Sequence, residues 1–328
     1  MNPATVSRRI MLGGILSFCG AMAARSRVWA ATRYIVIGTG GTGGVFYPYG
    51  GGLAQLLSKK LPDVQATAEV TGGSVDNIKL LASGNAELGF STVDSAFDAM
   101  KGEGVYGDVG PQPIATLAVL YPSVLHVVAS KASGIASVAD MKGKRVSVGS
   151  AGSSTESIAD RVMVAAGLDP ATDVTRDNLG VGESVNALVD GKVDAFFWIG
   201  GVPTPAIKDL VTLHSGDVVF VSTGDLAAKL NETYPGVYAR TTLKAGAYAG
   251  IEADMPVLRV DNVLLVQQGM DPGFAKEILA AIFDNLAEVQ AFHPAAKRLT
   301  LETASARSAV PHHPAAVEFY VGRGMKMD

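Results

Sequence analysis

The sequence predicts an α/β protein of two lobes, with parallel-rich sheets, flanking helices and a hinge of two extended crossovers. Three observations predict it. Short apolar runs alternate with segments of helical periodicity. Two long extended runs, 117–129 and 257–267, interrupt that rhythm. Finally, "SGNAELGF" (83–90) is echoed by "DGKVDAFF" (190–197), each reading as a helix end, a Gly just beyond it, one acid and a buried strand.

Residues 1–30 stand apart from the fold. Arg8 and Arg9 precede an apolar run from Ile10 to Ala24, about 15 residues where a bilayer span needs roughly 20. Val28-Trp29-Ala30 then offers a cleavage site, and "SRRIML" reads as a twin-arginine-like export signal, with Arg25 and Arg27 fitting that route. The expected product is an exported, soluble periplasmic protein without a lipid anchor. Removing the four arginines of this segment takes the net charge from −4 to −8, which argues against nucleic-acid binding. The single cysteine, Cys19, leaves with it, so neither disulfides nor thiol chemistry are expected.

The elements then follow in order. A strand at 33–38 leads through glycines to a helix at 48–60, a strand at 64–70 to a helix at 74–83, and a strand at 87–91 to a helix at 94–100. This βαβαβα series implies a parallel sheet with right-handed crossovers. After the extended run at 117–129 a second series places strands at 145–148, 194–198 and 217–221 and helices at 155–166, 183–190 and 205–212. Helices at 273–290 and 314–322 close the chain beyond the second extended run. The simplest organisation is one lobe of 31–123 plus 258–328, with a second lobe, 124–257, inserted in it.

The glycine loop contains G-x-G-x-x-G at Gly38, Gly40 and Gly43. Backbone N–H groups feeding a helix N-terminus suit a pyrophosphate or a carboxylate equally. For a dinucleotide, the acid expected on the next strand would be Glu69, while Pro48, Tyr47 and Tyr49 crowd a diphosphate cradle. Two further Gly/Ser/Thr-rich turns follow strands. One puts Gly72 and Gly73 before Ser74 and Asn77; the other gathers Ser150, Gly152, Ser153, Ser154 and Thr155 at a helix start. Each alone reads as an N-cap, but three at strand C-termini mark the edge where open α/β sheets bind ligands. Thr92 and Asp94 begin the helix after 87–91, where Asp94 is either a dipole-complementing acid or a site residue. Trp198, before Gly200-Gly201, is either core or the apolar wall of a cleft.

Catalytic signatures are thin. "SAGSS" is not G-x-S-x-G, and no H-E-x-x-H or cysteine cluster suggests a metal. His126 reads as a packed histidine and His312-His313 as loop residues. No catalytic residue, metal or cofactor is therefore expected. The alternatives are an exported nicotinamide-dependent oxidoreductase using the Gly38–Gly43 loop and a hydrolase whose Ser, His and Asp come from distant positions.

"IGTGGTGGVFYPYGGGLAQLL", "TGGSVDNIKLLASGNAELGFSTVDSA", "DMKGKRVSVGSAGSSTESIADRVMVAAGL", "GKVDAFFWIGGVPTPAI" and "PHHPAAVEFY" occur in this order. Together they resemble the TAXI family, the solute receptors of tripartite ATP-independent periplasmic (TRAP) transporters. The resemblance covers nearly all of the chain after the leader. It implies a periplasmic binding protein of type II, not an enzyme, that binds a small carboxylate such as a glutamate-like amino acid or a dicarboxylate. It also implies delivery to two integral membrane subunits, with the receptor acting as a monomer. By position, Gly40, Thr42 and Tyr47 match the family's first binding loop, and Ser74 and Asn77 its second. Thr92 stands where many members have Gln, and Asp94 matches a common acid. Gly152, Ser153 and Thr155 match a G-S-G-T loop in which Ser154 replaces the second Gly, and Gly201 and Pro203 match the cleft loop of the inserted lobe.

Overall fold

The computed structural model describes residues 32–327. The expected export signal and Cys19 lie outside the described residues. In chain order the elements are β1 (Arg33–Gly38), α1 (Phe46–Lys60), β2 (Val64–Glu69), α2 (Ser74–Ala82), β3 (Leu88–Thr92), α3 (Val93–Lys101) and β4 (Ile114–Ser130). Next come β5 (Arg145–Ser147), α4 (Ser154–Ala165), β6 (Thr175–Asp177), α5 (Val181–Val189), β7 (Ala195–Gly200), α6 (Pro205–His214), β8 (Val218–Phe220), α7 (Ala227–Thr233) and β9 (Ala239–Leu243). The chain finishes with β10 (Met255–Gln267), α8 (Pro272–Phe283), α9 (Leu286–Gln290), α10 (Leu301–Ala304) and α11 (Pro314–Gly322).

The fold is a mixed α/β architecture around one central sheet, ordered β2-β1-β3-β10-β4-β7-β5-β6. β1 runs parallel to β2 and β3, and β5 parallel to β6 and β7. The two long strands join these sets antiparallel to their neighbours. β4 carries the junction. Its first part pairs with β10 and its second part with β7 and β8. All but two of its 17 residues are buried, as a strand covered on both faces requires. Pro122 has no N–H to donate, and the ladder shifts register opposite it, between Asp261 and Val263. Asn262 spans the gap, its Nδ2 donating to Tyr121 O (2.8 Å) and Ser123 Oγ (2.7 Å).

The apolar core falls into three clusters. One draws on residues between Ile35 and Tyr121 and between Leu264 and Tyr320. A second draws on residues between Val124 and Val257. The third takes residues from both stretches and bridges them.

The echo noticed in sequence is a repeated piece of geometry. Gly84 and Gly191 both take positive φ just past a helix and donate back to it, to Leu81 O and Leu188 O. The acid before each strand accepts a backbone N–H from the neighbouring strand, Val36 N to Glu87 (2.7 Å) and Arg145 N to Asp194 (2.8 Å). Carried upstream at the same offset, Gly73 falls on Gly180 and Asp76 on Glu183, two glycine N-caps each followed by a first-turn acid.

The helix expected over 273–290 breaks into α8 and α9. Asn285 turns out of helical geometry and its Nδ2 donates to Ala281 O at 2.8 Å, the local competition for backbone groups that asparagine favours. β6, α7, β9 and α10 were not expected. β6 and β9 are short and mostly exposed, so no apolar alternation announces them.

Candidate functional site

A cavity of about 340 Å³ opens at the C-terminal ends of the parallel strands. The turn after β1 contributes Gly40 to Val45 and the start of α1 contributes Phe46. Gly72, Gly73 and Ser74 come from the start of α2, and Thr92 from the end of β3. Ser150, Ser153, Ser154 and Thr155 come from the start of α4, and Gly180 to Glu183 from the start of α5. Val70 just after β2, Tyr121 and Ser123 of β4 and Trp198, Ile199 and Gly200 of β7 complete the wall.

Four helices, α1, α2, α4 and α5, thus direct their N-termini at one space. The first-turn N–H groups of a helix lack intrahelical partners and carry partial positive charge, worth roughly 0.3–2 kcal/mol per helix to a nearby anion. Among the described lining residues there is no Lys, Arg or His, and the single charged side chain is Glu183. Its Oε2 accepts from Gly180 N at 2.9 Å, so part of its charge is spent capping α5. The space favours an anion through neutral donors.

The hydroxyls are partly committed. Ser74 Oγ accepts from Thr92 N (3.1 Å) and donates to Ser154 Oγ (3.3 Å), tying the α2 start to the α4 start. Ser153 caps α4 by accepting from Glu156 N (3.3 Å) and donates to Ser150 O (2.6 Å). Thr155 Oγ1 accepts from Ile199 N (3.4 Å). The same two turns touch through backbone, with Asp76 N donating to Gly152 O at 3.2 Å. Gly152 has φ +75°, and a Cβ there would overlap the Asp76 carboxylate; one on Gly72 would overlap Ala151 O.

The apolar side of the cavity is built around Trp198. Its Nε1 donates to Thr204 Oγ1 at 3.0 Å. A Cβ on Gly44 would come within 3.0 Å of its ring, and one on Gly200 would overlap Nε1. Phe46 packs on Phe90 with centroids 5.2 Å apart.

Of the residues expected at a site, Gly40, Thr42, Ser74, Thr92, Ser150, Ser153, Ser154 and Thr155 line this cavity. Six lie elsewhere. Because α1 begins at Phe46, that ring enters the wall and Tyr47, about 100° further round the helix, points away from it. Asn77 is fully buried behind the cavity, where Nδ2 donates to Thr39 O (2.6 Å) and Phe90 O (2.8 Å) and Oδ1 accepts from Thr71 (2.7 Å). That clamp explains Gly38, where a Cβ would lie 2.6 Å from Asn77 Oδ1. Gly152 shapes the turn but does not line the cavity, and Gly201 is packed against Tyr121 and Val45. Pro203 lies one step further, after a cis bond from Val202.

Asp94 belongs to a different structure. It is fully buried on α3, with Arg161 of α4 at 3.8 Å and Tyr238 Oη donating to it at 3.4 Å. Arg161 also pairs with Asp98, donates to Tyr238 Oη (2.9 Å) and lies over the Tyr234 ring at 4.0 Å. Burial pushes both carboxyls above their usual range, and the Arg161 guanidinium pulls each back.

Residues 180–183, Phe46, Tyr121 and Ser123 were missed. The signal for 180–183 was present: the 83–90/190–197 echo, extended upstream, superimposes this segment on 73–76. Among the described residues no group of three or more His, Cys, Asp or Glu gathers to hold a metal ion. No helix among them is long and apolar enough to cross a membrane.

The fold is similar to that of three solved proteins. A protein from Bordetella bronchiseptica RB50 matches with a TM-score of 0.54 at 18% identity, covering 88% of each chain. A structure described as a periplasmic transporter matches at 0.54 and 14% identity, covering 88% of this chain and 92% of the other. The binding protein component of an ABC phosphonate transporter from Pseudomonas aeruginosa matches at 0.52 and 14%, covering 80% and 79%. At these identities the likeness is one of fold. Residues 37–324 match the NMT1-like family, and the chain belongs to that family.

Proposed function

We propose that this protein is a solute receptor of the TAXI type that binds a small carboxylate, a glutamate-like amino acid or a dicarboxylate, between two lobes and delivers it to the membrane subunits of a TRAP transporter. The observation that carries this reading is the convergence of four helix N-termini on a cavity whose lining has no cationic side chain. A carboxylate taken out of water without partners costs several kcal/mol, and charge-assisted hydrogen bonds of roughly 1.5–3 kcal/mol each offset that cost. First-turn N–H groups of the four helices and the Thr42 and Ser150 hydroxyls would supply these bonds, since the residues that carry them line the cavity.

The lobes are 31–123 with 258–328, and 124–257. The separation of two of the core clusters at these boundaries supports the division, with β4 and β10 as the crossovers. Binding shifts the population toward the state in which the 72–76 and 150–154 turns touch, in proportion to the contacts the ligand gains there. The site works in the periplasm after export through the twin-arginine-like leader, and the receptor acts as a monomer. The names of two fold neighbours, a periplasmic transporter and a binding protein component of an ABC phosphonate transporter, are consistent with this setting. The oxidoreductase alternative is disfavoured, because Trp198 and Val181-Gly182 at the start of α5 pack against the first glycine loop and leave about 340 Å³, near the lower limit for small-molecule sites.

The test is calorimetric titration of the purified protein, unfolded and refolded to strip any retained solute, with glutamate, succinate and related acids. Saturable heat with one of them is expected. Silence across a broad carboxylate panel would sink the reading.

A further inference from the structure

A closed ring of hydrogen bonds lies behind the Trp198 wall. His126 of β4 and Trp198 of β7 are direct cross-strand partners. His126 Nδ1 is 3.3 Å from Trp198 O, and His126 Nε2 is 3.1 Å from Tyr248 Oη. Thr204 N donates to Tyr248 Oη at 2.7 Å. Thr204 Oγ1 donates to Gly201 O (2.8 Å) and accepts the Trp198 indole N–H. The donor roles close without conflict. Tyr248 Oη accepts from the Thr204 N–H and donates its hydroxyl hydrogen bond to His126 Nε2, which leaves the histidine N–H on Nδ1 to donate to the Trp198 carbonyl. His126, Thr204 and Tyr248 are at most 3% exposed. Tyr248 is held further by the stacked Phe220 ring at 5.6 Å. Burial lowers the His126 pKa to about 4, so the ring stays neutral and the pattern intact at ordinary pH.

We propose that Tyr248, which does not line the cavity, is a positioning residue. Through Thr204 on one side and His126 on the other, it fixes the Trp198 indole and so sets the apolar wall that selects the carbon skeleton of the bound carboxylate. The inference rests on the receptor reading for its ligand, but not for its geometry. Gly200 and Gly44 leave the indole room on both edges and nothing more, so its tilt is set by the Thr204 bond.

The chain has two tryptophans, Trp29 and Trp198. In the full chain carrying Trp29→Phe, fluorescence therefore reports Trp198 alone. Tyr248→Phe, or Thr204→Val if the first variant misfolds, is expected to raise acrylamide quenching and shift emission to the red. Thr204→Ser, which keeps the hydroxyl, should retain parental quenching. Affinity for whichever of glutamate, succinate and phenylacetate binds the parent best should fall roughly fivefold, the equivalent of one hydrogen bond of preorganisation. Unchanged quenching in folded Tyr248→Phe, or in Thr204→Val where Tyr248→Phe misfolds, would overturn the proposal. If none of the three acids binds the parent, the receptor reading fails for them, while the quenching series still decides the role of Tyr248.

Discussion

Segments 73–90 and 180–197 start alike and finish differently. Each begins with a glycine N-cap and a first-turn acid, runs through a nine-residue helix, turns on a positive-φ glycine and enters a strand pinned by a carboxylate. They part at the strand ends. In the first, Ser91 and Thr92 pass straight into α3, which carries Asp94 and Asp98 into the cluster around Arg161. In the second, Trp198 stands at the cavity and a Gly-Gly turn delays the next helix to Pro205. The shared part supplies uncharged donors from both sides. The divergent parts supply what is particular: two buried acids for a brace that reaches across to Arg161 of α4, and an aromatic wall.

The largest test of that division concerns the brace. Arg161→Met leaves two buried carboxyls without their cation and should cost roughly 3–5 kcal/mol in urea unfolding at pH 8. Adding Asp94→Asn and Asp98→Asn should recover part of the loss. If the single variant instead kept its stability and lost ligand, the brace would belong to the site and the comparison would fail.

Next in size is the histidine behind the wall. Its folded pKa of about 4 lies below the ordinary 6.5, so the unfolded chain binds the proton more readily between these values. The stability it contributes is present above pH 6.5 and lost as pH falls toward 4, by about 3 kcal/mol. The difference between the pH–stability curves of the parent and His126→Gln isolates this effect, and parallel curves would contradict it.

Gly152→Ala tests the contact between the two halves. It adds left-handed strain of about 1–2 kcal/mol and presses on Asp76. Weaker binding by about tenfold is expected by calorimetry. The smallest effect is expected from the pair of capping acids. Glu183→Gln removes the one charge lining the cavity and should tighten an anionic ligand by about 0.5–1 kcal/mol, while Asp76→Asn, outside the lining, should not. Equal responses would erase the distinction between the two caps.

Most of the fold could be read from sequence because its strong elements are well buried: β1, β4 and β10 declare themselves as apolar runs, and the helices α4 and α8 by helical periodicity. The eight lining residues anticipated were legible because glycine and hydroxyl residues crowd the turns after strands. Asp94 and Asn77 were misleading for one reason. A buried polar side chain must find partners, and from a single sequence those partners, Arg161 and the Thr39 and Phe90 carbonyls, are far away and invisible. Tyr47 failed on a boundary, since a helix starting two residues earlier than expected rotates the neighbouring side chain into its place.

Where Gly72 meets Ala151, main chain rests on main chain, and the Asp76 carboxylate fills the space beside Gly152. Such a junction behaves as a mechanical stop. The closest approach of the two turns is set there by the skeleton, and trimming a side chain does not change it. Retuning of preference is therefore least constrained at the opposite end, where an indole can be tilted or exchanged.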